Sequence, residues 1–264
     1  VTTLFDATLA LAKVLGNVRS STTTAAGSAT TIIDSTRTEP ADYWDGGTLW
    51  ITSGAKASTS RKITDWVLTT TTFTIPTTTT AAGSGAAYSV LDAAWPQDKL
   101  IEFINMALQE HCKVLASNAT LPTVAYQESY TLPAGVANVK RVEIAINSAS
   151  PYQYAPHYGW REVGDGTIKF DTGTEPADSG YILRLWYESP HAVLSADADV
   201  VSAYINADRL TWEAAVYAWQ WRIGMSGTDR PEYNNRMSLA MAMAQQMRGR
   251  YPTKFMPRDP RLTV

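Results

Sequence analysis

The chain has 264 residues, of which 45% are hydrophobic, 25 are acidic and 22 are basic, giving a formal charge of -3. This is enough apolar content for a sizeable core, as one large domain or a core with one or two sub-domains, and it excludes a disordered chain and any global attraction to nucleic acid or anionic membrane. The single cysteine, Cys112, excludes a disulfide framework and a cysteine-rich zinc site, and no apolar run reaches the roughly eighteen residues of a membrane-spanning helix.

The opening VTTLFDATLALAKVL reads as an amphipathic helix, because Asp6 and Lys13 interrupt the run a signal peptide would need and no small-residue cleavage pattern follows. From Gly16 to Asp92 the chain turns to Thr, Ser, Gly and Ala around short apolar runs: TTIID, GTLWITSG, SRKITDWV and FTIP. β-branched threonines with glycines between the runs predict several short strands, closed as a small barrel or stacked as a sandwich. At Trp95-Pro96-Gln97-Asp98 the pattern changes to a helix, with Asp92 able to cap it and Pro96 tolerated in the first turn. Leu100, Ile104, Ala107, Leu108, His111 and Leu115 mark its core face, and the helix is expected to end in SNATLP. Cys112 reads as a small core residue and His111 as a structural histidine.

Strands return from Tyr126 to Pro190 as ESYTLP, VKRVEIAI, TIKF and YILRLWYES, with Asp165-Gly166 as a hairpin signal. The pentapeptide TEPAD occurs twice, at Thr38–Asp42 and Thr174–Asp178, each time between predicted strands. Proline fixes the backbone and threonine can cap, so both copies read as one turn used twice with its acidic groups solvated, not as a duplicated carboxylate site. Further on, LSADADVVSAYI offers Ser195, Asp197 and Asp199 as caps; a calcium loop would also need a turn glycine and a closing glutamate, which are missing.

The next helix is apolar over most of its circumference, with Leu210, Ala214, Tyr217 and Trp221 beside Trp212, Val216, Trp219 and Ile223. Such a helix is sandwiched between neighbours or pressed against a partner chain. Pro231 opens a last helix lined by Met237, Ala240, Met241, Ala244 and Met247, a face suited to close packing or to an adaptable interface. The final RGRYPTKFMPRDPRLTV combines Arg248, Arg250, Lys254, Arg258 and Arg261 with three prolines and the anchors Tyr251, Phe255, Met256 and Leu262. It reads as an extended arm that orders on a partner. No hydrolase, zinc-protease or phosphate-loop motif occurs, and the three histidines are scattered, so no enzyme, cofactor or metal is expected.

The fold class is therefore α+β. A helical core (1–18, 93–120 and 191–247) carries an inserted β domain (19–92), a small β sub-domain (121–190) and a C-terminal arm (248–264). Taken in order, these parts resemble the head-to-tail adaptor (connector, neck) proteins of tailed bacteriophages. Two stretches carry the resemblance: LGNVRSSTTTAAGSATTIIDSTRTEPADYWDGGTLWITSG and LWYESPHAVLSADADVVSAYINADRLTWEAAVYAW. The resemblance implies a structural virion protein, assembled in the host cytoplasm into a dodecameric homo-oligomeric ring in the neck. It also implies as partners the portal protein and the tail or nozzle proteins, with genomic DNA passing through the lumen without sequence reading and no membrane contact. Portal binding then falls on Arg250, Tyr251, Lys254, Phe255, Met256, Arg258, Arg261 and Leu262, and subunit contacts on Trp212, Trp219, Met237 and Met241. The rival reading is a virion-surface or tail β module that binds carbohydrate or decorates the particle, with Trp44, Trp50, Trp66 and Trp160 as stacking platforms.

Overall fold

The computed structural model describes residues 2–16, 18–78, 80–164, 166–226 and 230–252. The chain divides into two compact units, one formed by Val1–Cys112 with Ala192–Pro252 and one built on Lys113–His191. Four helices and several antiparallel sheets make it α+β. Among the described residues no helix is long and apolar enough to cross a membrane.

The first unit opens with α1 (Leu4–Leu15), which starts at a reciprocal cap: the Asp6 amide donates to Thr3 Oγ1, and the Thr3 amide to Asp6 Oδ2. Seven strands follow: β1 (Arg19–Thr22), β2 (Thr31–Ile33), β3 (Thr48–Ile51), β4 (Thr59–Lys62), β5 (Asp65–Val67), β6 (Thr72–Thr74) and β7 (Ala87–Leu91). They form two open antiparallel sheets, ordered β1-β7-β3-β4 and β2-β6-β5. Ile32, Leu49, Ile51, Trp66, Phe73, Tyr88 and Val90 from both sheets share one core. The arrangement is a two-sheet stack and not a closed barrel. The run SRKITDWV, continuous in the sequence, splits at Ile63-Thr64 so that β4 and β5 join different sheets. The Ile63 amide at that corner donates to the Gly47 carbonyl at 2.8 Å, and Gly47 itself has no room for a side chain, since a Cβ there would lie 2.3 Å from the Leu91 carbonyl oxygen.

All four residues of β3 are buried because both of its faces are covered. Leu49 and Ile51 enter the insertion core, while Trp50 Nε1 donates to Thr8 Oγ1 of α1 at 3.2 Å. The helical part continues with α2 (Gln97–His111), α3 (Ala207–Ser226) and α4 (Pro231–Arg250). Asp92 does not cap α2: its Oδ1 accepts from the Ala94 amide in the preceding turn, and the N-cap position is Pro96. The helix also stops earlier than its periodicity predicts, at His111. Leu115 and most of the expected helical end instead lie in β8 (Val114–Pro122), where the sheet supplies backbone partners from Ser189↔Val114 to Ile182↔Pro122. α3 contacts α1, α2 and α4, which explains its broad apolar circumference within one chain. α4 runs through Arg250, so Arg248 and Arg250 belong to a helix and not to an extended arm; Lys254, Phe255, Met256, Arg258, Arg261 and Leu262 lie outside the described residues.

The second unit holds β8, β9 (Ser129–Thr131), β10 (Val139–Ala145), β11 (Tyr154–His157), β12 (Trp160–Val163), β13 (Thr167–Phe170) and β14 (Ile182–Ser189), in sheets ordered β11-β10-β14-β8 and β12-β13-β9. The β12–β13 hairpin forms where the Asp-Gly signal stands, with Val163 opposite Thr167; Asp165 itself lies outside the described residues. Tyr130, Val142, Ile168, Phe170, Leu183 and Leu185 form its own core.

Both TEPAD copies lie between strands, yet they are not one turn. In the first, Asp42 adopts φ 62° and a run of turns at 41–46 carries Trp44 into the core. Its Glu39 is not solvated but accepts from Arg19 at 2.7 Å and Arg37 at 3.3 Å. In the second, Thr174 Oγ1 donates to the Asp171 and Gly159 carbonyls. The neighbours differ, so the same five residues take different shapes.

Candidate assembly surface

The surface with the clearest capacity for contact is α4 and the edge of the α3/α4 pair. Pro231 at the first helical position presets the backbone of α4. Ala240, Ala244 and Met247, at spacings of four and three, are buried, and the small alanines let α3 approach closely. From Met237 to Met247 the helix carries no charge. On either flank of that buried stripe, Leu239 is 57% and Met241 51% exposed. Met237 and Trp212 are half-buried, whereas Trp219 is turned inward against Trp95 and Tyr233 and is spent inside the unit. Leu239, with no assigned role in the sequence reading, joins the exposed set, beside exposed Ser238 and buried Ala240. Exposed apolar side chains on an uncharged stretch of helix give it the capacity for contact.

The far end of α4 is fastened by ions. Glu213 of α3 is 1% exposed, and Arg248 grips it with Nε at 2.5 Å and Nη2 at 2.6 Å. His111 Nε2 lies 3.8 Å from the same carboxylate. Arg209 links the ends of two helices, donating to the His111 carbonyl at 2.7 Å and the Tyr251 carbonyl at 3.1 Å. The Tyr217 hydroxyl donates to Glu110, and burial first, then that bond, raises its pKa. The Arg248 pKa is raised further, chiefly by its hydrogen bonds to Glu213. Tyr251 and Arg250, two residues expected to touch the portal, sit on this fastened end. Cys112 is buried beside it, its thiol pushed up to about 11 by burial, and it has the character of a core residue.

The other candidate chemistries fare differently. Asp197 takes the Ser60 amide and Arg61, and Asp199 takes the Ser195 and Ala196 amides, so both carboxylates are committed to holding loops. Three carboxylates that sequence spacing did not connect, Asp42, Asp45 and Asp65, do converge, with oxygens within 4.8 Å of one another. Burial, followed by the two neighbouring charges, raises the Asp45 pKa against one backbone hydrogen bond. Of the tryptophans considered as sugar platforms, Trp44, Trp50 and Trp66 are buried within the insertion and Trp160 is half-buried, so no stacking face is built from them.

A family model described as SU10 adaptor protein matches residues 77–261, more than half of the chain. No curated protein matches the sequence.

Proposed function

The chain belongs to the SU10 adaptor protein family of phage structural proteins, and on that premise we propose that it works as a head-to-tail adaptor, forming a ring between portal and tail in the virion neck. Family membership implies a non-enzymatic role, and the match over 77–261 is the observation that carries the reading. The exposed strip of α4 supports it. Side-by-side repetition of one heterologous contact closes a ring, so an interface around Leu239, Met237, Met241 and Trp212 gains stability from closure. A dodecamer with a DNA-conducting lumen is the form this family resemblance implies; a chain of charge -3 offers no global attraction that would hold the passing DNA. Arg250 and Tyr251 at the end of α4, with Lys254, Phe255, Met256, Arg258, Arg261 and Leu262 beyond it in sequence, combine charge and aromatic anchors for docking on the portal, and tail or nozzle proteins would follow below.

The test separates arm from fold. Removing residues 253–264 leaves α4 and the Arg248–Glu213 pair in place. Expected is loss of co-sedimentation with purified portal, with the far-UV dichroism and unfolding midpoint unchanged. Retained portal binding would count against the arm. A paired change, Leu239→Glu with Met241→Glu, should leave the monomer folded and abolish ring formation; rings of unaltered size would remove α4 from the interface.

A further inference from the structure

A cavity of about 250 Å³ opens in the first unit between the end of α1, the turn ahead of α2 and the facing sides of α3 and α4. Trp95, Trp219 and Tyr233 line it, the two indoles meeting edge to face with centroids 5.1 Å apart. Four charged side chains share the lining. Two are a pair, Arg236 Nε lying 3.4 Å from Glu232 Oε1, and a third, Asp92, accepts from the Ala94 amide. The fourth is Arg222. Its guanidinium carbon is 5.9 Å from the Trp95 ring and 5.8 Å from the Tyr233 ring, and its charge beside the Tyr233 hydroxyl lowers that phenol's pKa. Among the described residues no carboxylate pairs with it.

Arg222 is thus a cation set among ring faces, with no carboxylate beside it among the described residues. A guanidinium fork matches a carboxylate in two parallel hydrogen bonds, and indole and phenol faces suit the methylene stem behind an acidic head. A phosphate dianion would bring two negative charges up to Asp92 and Glu232, whereas one carboxylate brings a single charge that Arg222 alone neutralises. We propose that this pocket receives the carboxylate side chain of an acidic residue on a partner polypeptide, with Arg222 holding the head and Trp95, Trp219 and Tyr233 enclosing the stem. The site goes beyond the adaptor reading, and its test requires neither ring nor portal.

The measurement is a titration of the full-length protein followed by the indole N–H resonances of Trp95 and Trp219, assigned with Trp95→Phe and Trp219→Phe. The probe is N-acetylglutamate α-amide, with N-acetylglutamine α-amide and inorganic phosphate as comparisons. Expected is a saturable shift of both indoles with the glutamate probe, little with the glutamine probe, and an affinity about tenfold weaker in Arg222→Gln, the size of one lost charge-assisted contact. The remaining indole resonances report whether Arg222→Gln stays folded, and Arg222→Lys, which keeps the charge but loses the fork, should recover part of the affinity. An equal response to the glutamine probe, tighter binding of phosphate, undiminished binding in folded Arg222→Gln or no saturable shift would each overturn the proposal.

Discussion

At the scale of single residues, burial decides which charges matter. Glu213 is 1% exposed while its partner Arg248 remains 48% exposed, so the two halves of the pair are not equivalent. Arg248→Ala leaves a buried carboxylate with only Arg209 and His111 near it, and is expected to cost about 3 kcal/mol. Glu213→Gln leaves a guanidinium that water can reach, and about 2 kcal/mol is expected. Urea unfolding of both variants checks the order. Asp34 carries the pH dependence of the insertion. Burial raises its pKa, but hydrogen bonds from Thr36, Tyr88 and Ser21 outweigh that and hold it below 3.8. A depressed folded pKa contributes stability above the unfolded value and loses it as pH falls. The unfolding midpoint should therefore drop below about pH 4, and Asp34→Asn should flatten that drop. No spacing rule points to Asp34, Ser21 and Tyr88 as partners, since they meet only when β1, β7 and the loop after β2 stack. The acidic triad at Asp42 escaped sequence reasoning for the same reason: Asp65 comes from another strand.

Among the elements, those whose signal is local are the ones legible beforehand. α1 announces itself by its amphipathic run, α4 by Pro231, and β3 by its short apolar run GTLWITSG among threonines and glycines, and all three form. Trp50→Ala should cost about 3–5 kcal/mol, because it empties a fully buried site and strips Thr8 of its indole donor. Ala244→Leu should cost about 1–3 kcal/mol by forcing α3 and α4 apart, read as a lowered thermal midpoint. Elements decided by distant partners were misjudged. Leu115 continues a helical stripe on paper, yet β14 claims its backbone. The two TEPAD copies make the same point: the second depends on Gly159, where an added Cβ would sit 2.6 Å from Thr174 Cγ2, and the first on Trp66, whose Nε1 donates to the Glu39 carbonyl.

For the whole molecule, the second unit owns a core drawn from its own strands and the turn between β9 and β10. A fragment of residues 113–191 is expected to fold alone with cooperative thermal unfolding; a broad, featureless melt would show that it depends on the rest of the chain. Composition and periodicity by themselves determined the α+β class and the order of helical and β regions; the two quoted stretches, with that order, carried the resemblance that the family match bears out. Those properties are legible because hydrophobic period, proline and glycine act over a few residues. Only the tertiary structure decided that the insertion is two open sheets, that Trp219 faces inward while Leu239 and Met241 are exposed, and that no carboxylate among the described residues pairs with Arg222. Each of these depends on which surfaces meet across long separations in sequence, and burial and pairing energies arise from that meeting and not from the residue alone.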